Sequence, residues 1–188
     1  RNGLVLSEGS AFLIIETLDH AVSRNAQIYG EVIGEGASSD AYKVADNNPN
    51  GIGISLAIQS ALRGALLKPS EIDCIFAFAP SLPNFDSTEA EGIKTSIGME
   101  MPSIPVTSIK GALGESMGPA GLYNVICSLL AIRDSIIPPT INYKNPDPKC
   151  DLSIVANESC GKKLNNILTN FYSWGGIYGS LIIKGNNI

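Results

Sequence analysis

Histidine is almost absent from this chain: there is one, His20, in 188 residues. It lies in Glu16-Thr17-Leu18-Asp19-His20-Ala21, a charged helical stretch, and reads as a solvated surface residue. Imidazole is the usual acid–base group near pH 7, so that chemistry is nearly closed here. Charge is also scarce, at 16% of residues, and 13 Lys and Arg against 18 Asp and Glu leave a formal net charge of −5. With no Lys/Arg stripe, this argues against nucleic acid or an anionic membrane as partner. The longest apolar runs, such as 11–15, fall far short of the roughly 20 residues that span a bilayer. No signal peptide is present, and Arg1 is not an initiator Met, so the chain is expected to start at an internal point. The four cysteines, Cys74, Cys127, Cys150 and Cys160, include no CxxC pair, which argues against zinc or another metal. Cys74 and Cys127 sit in apolar segments and read as core thiols. Cys150 and Cys160 flank an expected strand and could approach each other, but a reduced cytosolic state is the expectation.

What is present fits a well-buried globular protein. Apolar residues make up 44% of the chain, and the length suits one domain or half of a larger one. The periodicity predicts a buried strand over Phe12–Glu16, a short helix to about Asn25, and a second strand over Ile28–Gly34. Residues 36–50 are polar and predict a loop. Ile54, Ala57, Ile58, Ala61, Leu62 and Ala65 have helical spacing within Gly51–Leu67. Pro69-Ser70-Glu71-Ile72 ends that helix. A buried strand is expected over 74–79, an amphipathic helix over Asp86–Ile97 with Asp86 as its cap, and a short strand over Ile104–Thr107. A long apolar helix over Gly118–Arg133 and late strands over Leu152–Ala156 and Leu181–Lys184 complete the pattern. This alternation implies an α/β fold with a mainly parallel sheet covered on both faces. Gly111, Gly114, Gly118 and Gly121 lack the Gly-Lys-Ser/Thr ending of a phosphate loop and read as close-packing positions.

Three segments carry a resemblance. They are Arg1-Asn2-Gly3-Leu4-Val5-Leu6-Ser7-Glu8-Gly9-Ser10; Ile136-Ile137-Pro138-Pro139-Thr140-Ile141-Asn142 with Asn145-Pro146-Asp147 and Cys150-Asp151-Leu152; and Gly175-Gly176 with Gly179-Ser180-Leu181. Together they resemble the second half of the β-ketoacyl-ACP synthases, in order and over essentially the whole chain. The resemblance implies a thiolase-like fold, the second half of a five-layer αβαβα architecture with a mixed or parallel sheet. Residues 1–35 would end the N-terminal half and residues 36–188 would form the C-terminal half. The family's nucleophilic cysteine would precede Arg1, since none of the four cysteines stands in its setting. No cofactor or metal is implied. An acyl carrier protein, the missing N-terminal half and a cytoplasmic setting are.

The departures from the family matter most. Its first catalytic histidine follows a strand, where this chain has Ile75-Phe76-Ala77-Phe78-Ala79-Pro80, with Phe78 at the histidine's place. Its second follows a lysine by five positions; here the lysine is kept as Lys110 and Glu115 replaces the histidine. The helical glutamate that pairs with that lysine appears as Asn124. The gating phenylalanine of the C-terminal glycine turn appears as Trp174, before Gly175 and Gly176. In the family, decarboxylative condensation turns a malonyl thioester into an enolate, and the two histidines donate hydrogen bonds as charge grows on the thioester oxygen. Losing one such donor costs about 10²–10³ in rate. Phenylalanine donates nothing, and an ionised glutamate repels the enolate.

Each of these residues has two readings. Phe78 is a plug in a dead site or an ordinary core residue; Glu115 lines a pocket or sits at a helix N-terminus. Lys110 is structural or catalytic. Trp174, with Gly175 and Gly176, lines an acyl cavity or fills volume. The loss of both histidines resembles one branch of the family, the chain-length factor or ketosynthase-β of type II polyketide systems. Such a subunit pairs with an active ketosynthase-α and shapes the polyketide cavity. The alternatives are an active condensing enzyme or acyltransferase of the same fold with its cysteine upstream, and a purely architectural subunit.

Overall fold

A computed structural model describes residues 2–44, 46–98 and 103–186. Arg1, where the resemblance begins, and Ala45 of the expected loop lie outside the described residues. The helices are α1 (Leu18–Ser23), α2 (Ile52–Ala65), α3 (Pro83–Ile97), α4 (Lys110–Leu113) and α5 (Ala120–Asp134). The strands are β1 (Gly30–Ser39), β2 (Cys74–Phe76), β3 (Val106–Thr107), β4 (Ile136–Ile137), β5 (Cys160–Gly161), β6 (Asn166–Ser173) and β7 (Ile177–Gly185). Five strands form the main sheet in the order β1-β7-β6-β2-β3. It is mixed rather than mainly parallel: β6, β2 and β3 run parallel, while β7 is antiparallel to both β6 and β1. The reason is the tight turn at Gly175-Gly176, which returns β6 directly as β7, whereas only a crossover connection makes neighbours parallel.

Alternation along the central strands splits the core in two. Ile75, Leu168 and Ile182 point to one face, where Ile54, Ile58 and Leu62 of α2 and Ile93 and Ile97 of α3 cover them. Cys74, Phe76 and Ile167 point to the other, against Ala131, Cys127 and Ile132 of α5. The spacing in α2 is the one that places Ile54, Ala57, Ile58, Ala61 and Leu62 on a single buried stripe. Cys160 carries a free thiol, so Cys150 and Cys160 are not joined by a disulfide. Burial pushes the Cys74 thiol up to about 12.

Several expectations need correction. Residues 12–16 form no strand, and Phe12, Ile14 and Ile15 are 87%, 86% and 80% exposed. A strand needs a neighbouring edge for its backbone, and no described strand lies beside this run. Strand β1 runs on to Ser39, into the expected loop, because β7 offers partners as far as Ile177. Residues 152–156 make only isolated bridges, Ile154 to Val106 and Ala156 to Thr140. Strand β6, at the centre of the sheet, was not expected at all. Its Thr169 and Asn170 are fully buried yet polar, which hides the apolar signature of a central strand. Asp86 is not the α3 cap: the helix starts at Pro83, and Asp86 instead accepts the Ser81 N–H at 3.1 Å from within the first turn.

Candidate functional site

The site forms where the C-terminal ends of β2 and β3 open beside α3, α4 and α5. Strand β2 leads into Ala77-Phe78-Ala79, and β3 leads through Ser108 into α4, whose first residue is Lys110. These two parallel strands therefore bring residues 78 and 110 together although they are far apart in sequence. The Lys110 Nζ lies 3.3 Å from the centroid of the Phe78 ring. On the same ammonium, Glu115 Oε2 accepts a hydrogen bond at 2.5 Å. Only 9% of the Lys110 side chain and 2% of the Glu115 side chain are exposed. Burial pushes the Lys110 amine below its ordinary value, while Glu115, Glu89 and Asp86 pull it back.

Glu115 is held from both sides. Its Oε1 accepts the Met117 N–H at 2.8 Å. Its own N–H donates to Val5 O, and its carbonyl accepts from Ser7 N–H, so the segment around Leu6 runs alongside it. Gly114, at φ +75°, lets that segment approach; a Cβ there would lie 2.8 Å from the Ser7 Cβ.

A cavity of about 680 Å³ opens here, lined among others by Val5, Glu89, Lys110, Glu115, Asn142, Leu152 and Ile154. Lys110 and Glu115 are thus wall residues. Phe78, Trp174, Gly175 and Gly176 are not in its lining. Phe78 is 5% exposed and turns its ring onto Tyr172, 5.3 Å between centroids. Trp174 is 39% exposed and packs on Phe85 at 5.4 Å. Gly175 and Gly176 make the β6–β7 turn with φ of +92° and +76°. A Cβ at Gly176 would lie 2.1 Å from Asp40 Oδ1. Asp40 is tied there: it accepts from the Tyr178 hydroxyl at 2.6 Å and from the N–H groups of Asn48 and Tyr42.

Asn124, which the resemblance sets beside Lys110, is 2% exposed; its Nδ2 donates to Asn170 O at 3.1 Å and, more weakly, to Ala77 O at 3.4 Å. It makes no hydrogen bond to Lys110, whose carboxylate partner is Glu115 instead. His20 lies elsewhere, exposed on α1, with its ring against Glu16, which also pairs with Arg24.

One residue escaped the sequence reading. Glu89 is 2% exposed in the middle of α3, within reach of the Lys110 charge. A signal was present: it occupies the stripe Phe85-Glu89-Ile93-Ile97, every fourth residue, whose other members are apolar and buried. Among the described residues no group of three or more His, Cys, Asp or Glu could hold a metal ion. No described helix is long and apolar enough to cross a membrane.

Two relatives named 3-oxoacyl-[acyl-carrier-protein] synthase 2 align over 98% of this chain. That of Coxiella burnetii is 40% identical and that of Synechocystis sp. 38% identical, each with 44% of its own length covered. Among solved structures, a type II polyketide acyl-carrier protein in complex with its ketosynthase bound to the hexaketide superimposes with a TM-score of 0.96. It is 31% identical, with 100% of this chain and 46% of that one covered. The ishigamide ketosynthase/chain length factor follows with a TM-score of 0.92 at 34% identity, over 98% of this chain and 45% of that one. The chain thus spans less than half the length of these relatives. Residues 29–144 match the family model for the β-ketoacyl synthase C-terminal domain. With its thiolase-like ketosynthase fold, the chain belongs to the β-ketoacyl synthase family and carries that C-terminal domain.

Proposed function

We propose that this chain is the C-terminal part, with residues 36–188 as the C-terminal half, of a catalytically deficient ketosynthase-like subunit of the chain-length-factor kind. It pairs with an active ketosynthase-α and shapes the cavity for a growing acyl or polyketide chain. The observation that carries the reading is the Lys110 ammonium held between the Phe78 ring and the Glu115 carboxylate. By the resemblance, those two residues stand where the family's histidines donate N–H groups to the nascent enolate. Here one position offers a ring that is already covered. The other offers a carboxylate already bound to Lys110 and Met117 N–H. Neither can stabilise an oxyanion.

The reading includes the first half of the fold as the immediate partner. Exposed Phe12, Ile14 and Ile15, and the short share of its relatives that the chain spans, support this. Acyl carrier protein would reach the complex through the pair, in the cytoplasm. A second reading, an active condensing enzyme or acyltransferase with altered chemistry, is favoured by the 40% identity to a 3-oxoacyl-[acyl-carrier-protein] synthase 2.

The test is to purify the full-length protein that carries this chain and supply malonyl-carrier protein, following acetyl-carrier protein. The proposal expects no turnover above background from this subunit alone. Turnover at the rate of an active ketosynthase would favour the second reading and end the first.

A further inference from the structure

The turn that carries Phe78 is strained and is held from outside its own sequence. Ala79 has φ +34° and Ser81 φ +70°, in the left-handed region that favours glycine. Neither is a glycine, asparagine or aspartate, so the residue types themselves do not favour this conformation. Such backbone persists only where its surroundings over-determine it. Here the Ser81 end is held by Asp86 Oδ1, which accepts its N–H at 3.1 Å, and by Gly3 N–H on its carbonyl at 3.1 Å, while the Phe78–Ala79 end is held by one carboxylate. Phe78 N–H donates to Glu89 Oε1 at 2.9 Å and Ala79 N–H to Glu89 Oε2 at 2.8 Å. Asn170 Nδ2 of β6 donates to Oε1 at 3.1 Å. Asn170 is fixed in turn by the Ser180 hydroxyl of β7 at 2.8 Å and, through its carbonyl, by Asn124 of α5. Glu89, Asn124, Asn170 and Ser180 are all buried.

We propose that Glu89, as a carboxylate, is the positioning residue of this site: it holds the Phe78–Ala79 turn in its strained form and so keeps the Phe78 ring over Lys110. The idea is independent of whether the subunit condenses acyl chains. Three N–H donors converge on Glu89, and only an acceptor-only group meets them all. A glutamine of the same shape must turn its NH₂ toward at least one N–H and lose that bond. Burial pushes the Glu89 carboxyl up, and the three donors and Lys110 oppose that.

The experiment uses the intact protein and reductive methylation with formaldehyde and a borane, read at each lysine by peptide mass spectrometry. Lys162 is the internal reference, because its Nζ donates to Asp73 O and touches no part of the turn. Glu89→Gln is expected to raise methylation at Lys110 relative to Lys162 by about ten-fold or more, since local opening and not global unfolding is being read. Adding Ala79→Gly, which removes the positive-φ strain, is expected to return the ratio to within about three-fold of the parent protein. An unchanged ratio in Glu89→Gln, or no recovery in the double variant, overturns the proposal. Should Glu89→Gln be insoluble alone, soluble double variant with Lys110 protected supports it, and failure of the double variant overturns it.

Discussion

Phe78 and Lys110 are joined by a cation–π contact, with the ammonium 3.3 Å from the ring centroid and Glu115 closing the same ammonium from another side. Such contacts are worth about 2 kcal/mol or more when desolvated.

The Lys110–Glu115 pair gives the sharpest stability prediction. Removing one partner leaves a buried, uncompensated charge, so Lys110→Met alone and Glu115→Leu alone should each cost about 3–5 kcal/mol. The double variant loses both charges, the cation–π contact of Lys110 with Phe78 and the Glu115 hydrogen bond to Met117 N–H, so it should cost about 3 kcal/mol, well below the sum of the single changes. Denaturant unfolding of the four proteins gives the coupling, and additive costs would contradict the pairing.

Phe78→Ala should lower stability by about 3–5 kcal/mol, the usual cost of truncating a buried aromatic. Trp174→Ala should cost less, about 1–2 kcal/mol, because Trp174 is 39% exposed and loses mainly its ring contact with Phe85. Neither side chain lines the 680 Å³ cavity. Product lengths in a reconstituted pair, read by mass spectrometry, are therefore expected to stay unchanged. Longer products from either variant would show that a second cavity controls length.

Asp40 predicts a pH dependence. Burial alone would push its carboxyl up, but the Tyr178 hydroxyl and the N–H groups of Asn48 and Tyr42 outweigh that and bring it below its ordinary 3.8. The folded state thus holds fewer protons than the unfolded chain as pH falls through 3.8. The stability that Asp40 supplies is present above that value and is lost below it. Thermal unfolding of the parent and Asp40→Asn proteins should differ most near neutral pH, and the difference should shrink as the pH falls below 3.8. A constant difference across that range would rule out the ionised carboxylate.

Gly176→Ala combines a positive φ with a Cβ placed 2.1 Å from Asp40 Oδ1. It should cost about 1–3 kcal/mol from the backbone alone, and more from the collision. Gly175→Ala meets nothing within 4 Å and should show the backbone cost only. Calorimetry of the two variants separates strain from clash, and equal costs would refute the close approach.

Residues 1–188 expressed alone should aggregate. Phe12, Ile14 and Ile15 form an apolar run exposed to water, beside Val5 and Leu6, also exposed. On the proposed reading, co-expression with an N-terminal half of the fold should give soluble protein. Light scattering of the two preparations checks this, and a soluble monomer with a cooperative melt from 1–188 alone would contradict it.

Much of the architecture could be read directly from residue order. The stripe Ile54, Ala57, Ile58, Ala61, Leu62 announces α2, the apolar run at 74–78 announces β2, and the resemblance draws attention to Lys110, Glu115 and Phe78. These are properties of short, covalently set spacings: 3.6 residues per helical turn and alternation along a strand. Strand β6, the exposure of Phe12–Ile15 and the role of Glu89 were not legible in the same way. Asn170 looks like a loop residue until Glu89 and Ser180 satisfy it. Phe12 looks like core until no strand is found beside it among the described residues. Glu89 looks like a surface charge until two backbone N–H groups meet it. Residue order alone determined which segments can be helix or strand, and which chemical groups, a phenylalanine, a lysine and a glutamate, stand at 78, 110 and 115. Only the tertiary structure decided which polar groups are buried and which apolar ones are not, because burial depends on partners brought together from distant parts of the chain.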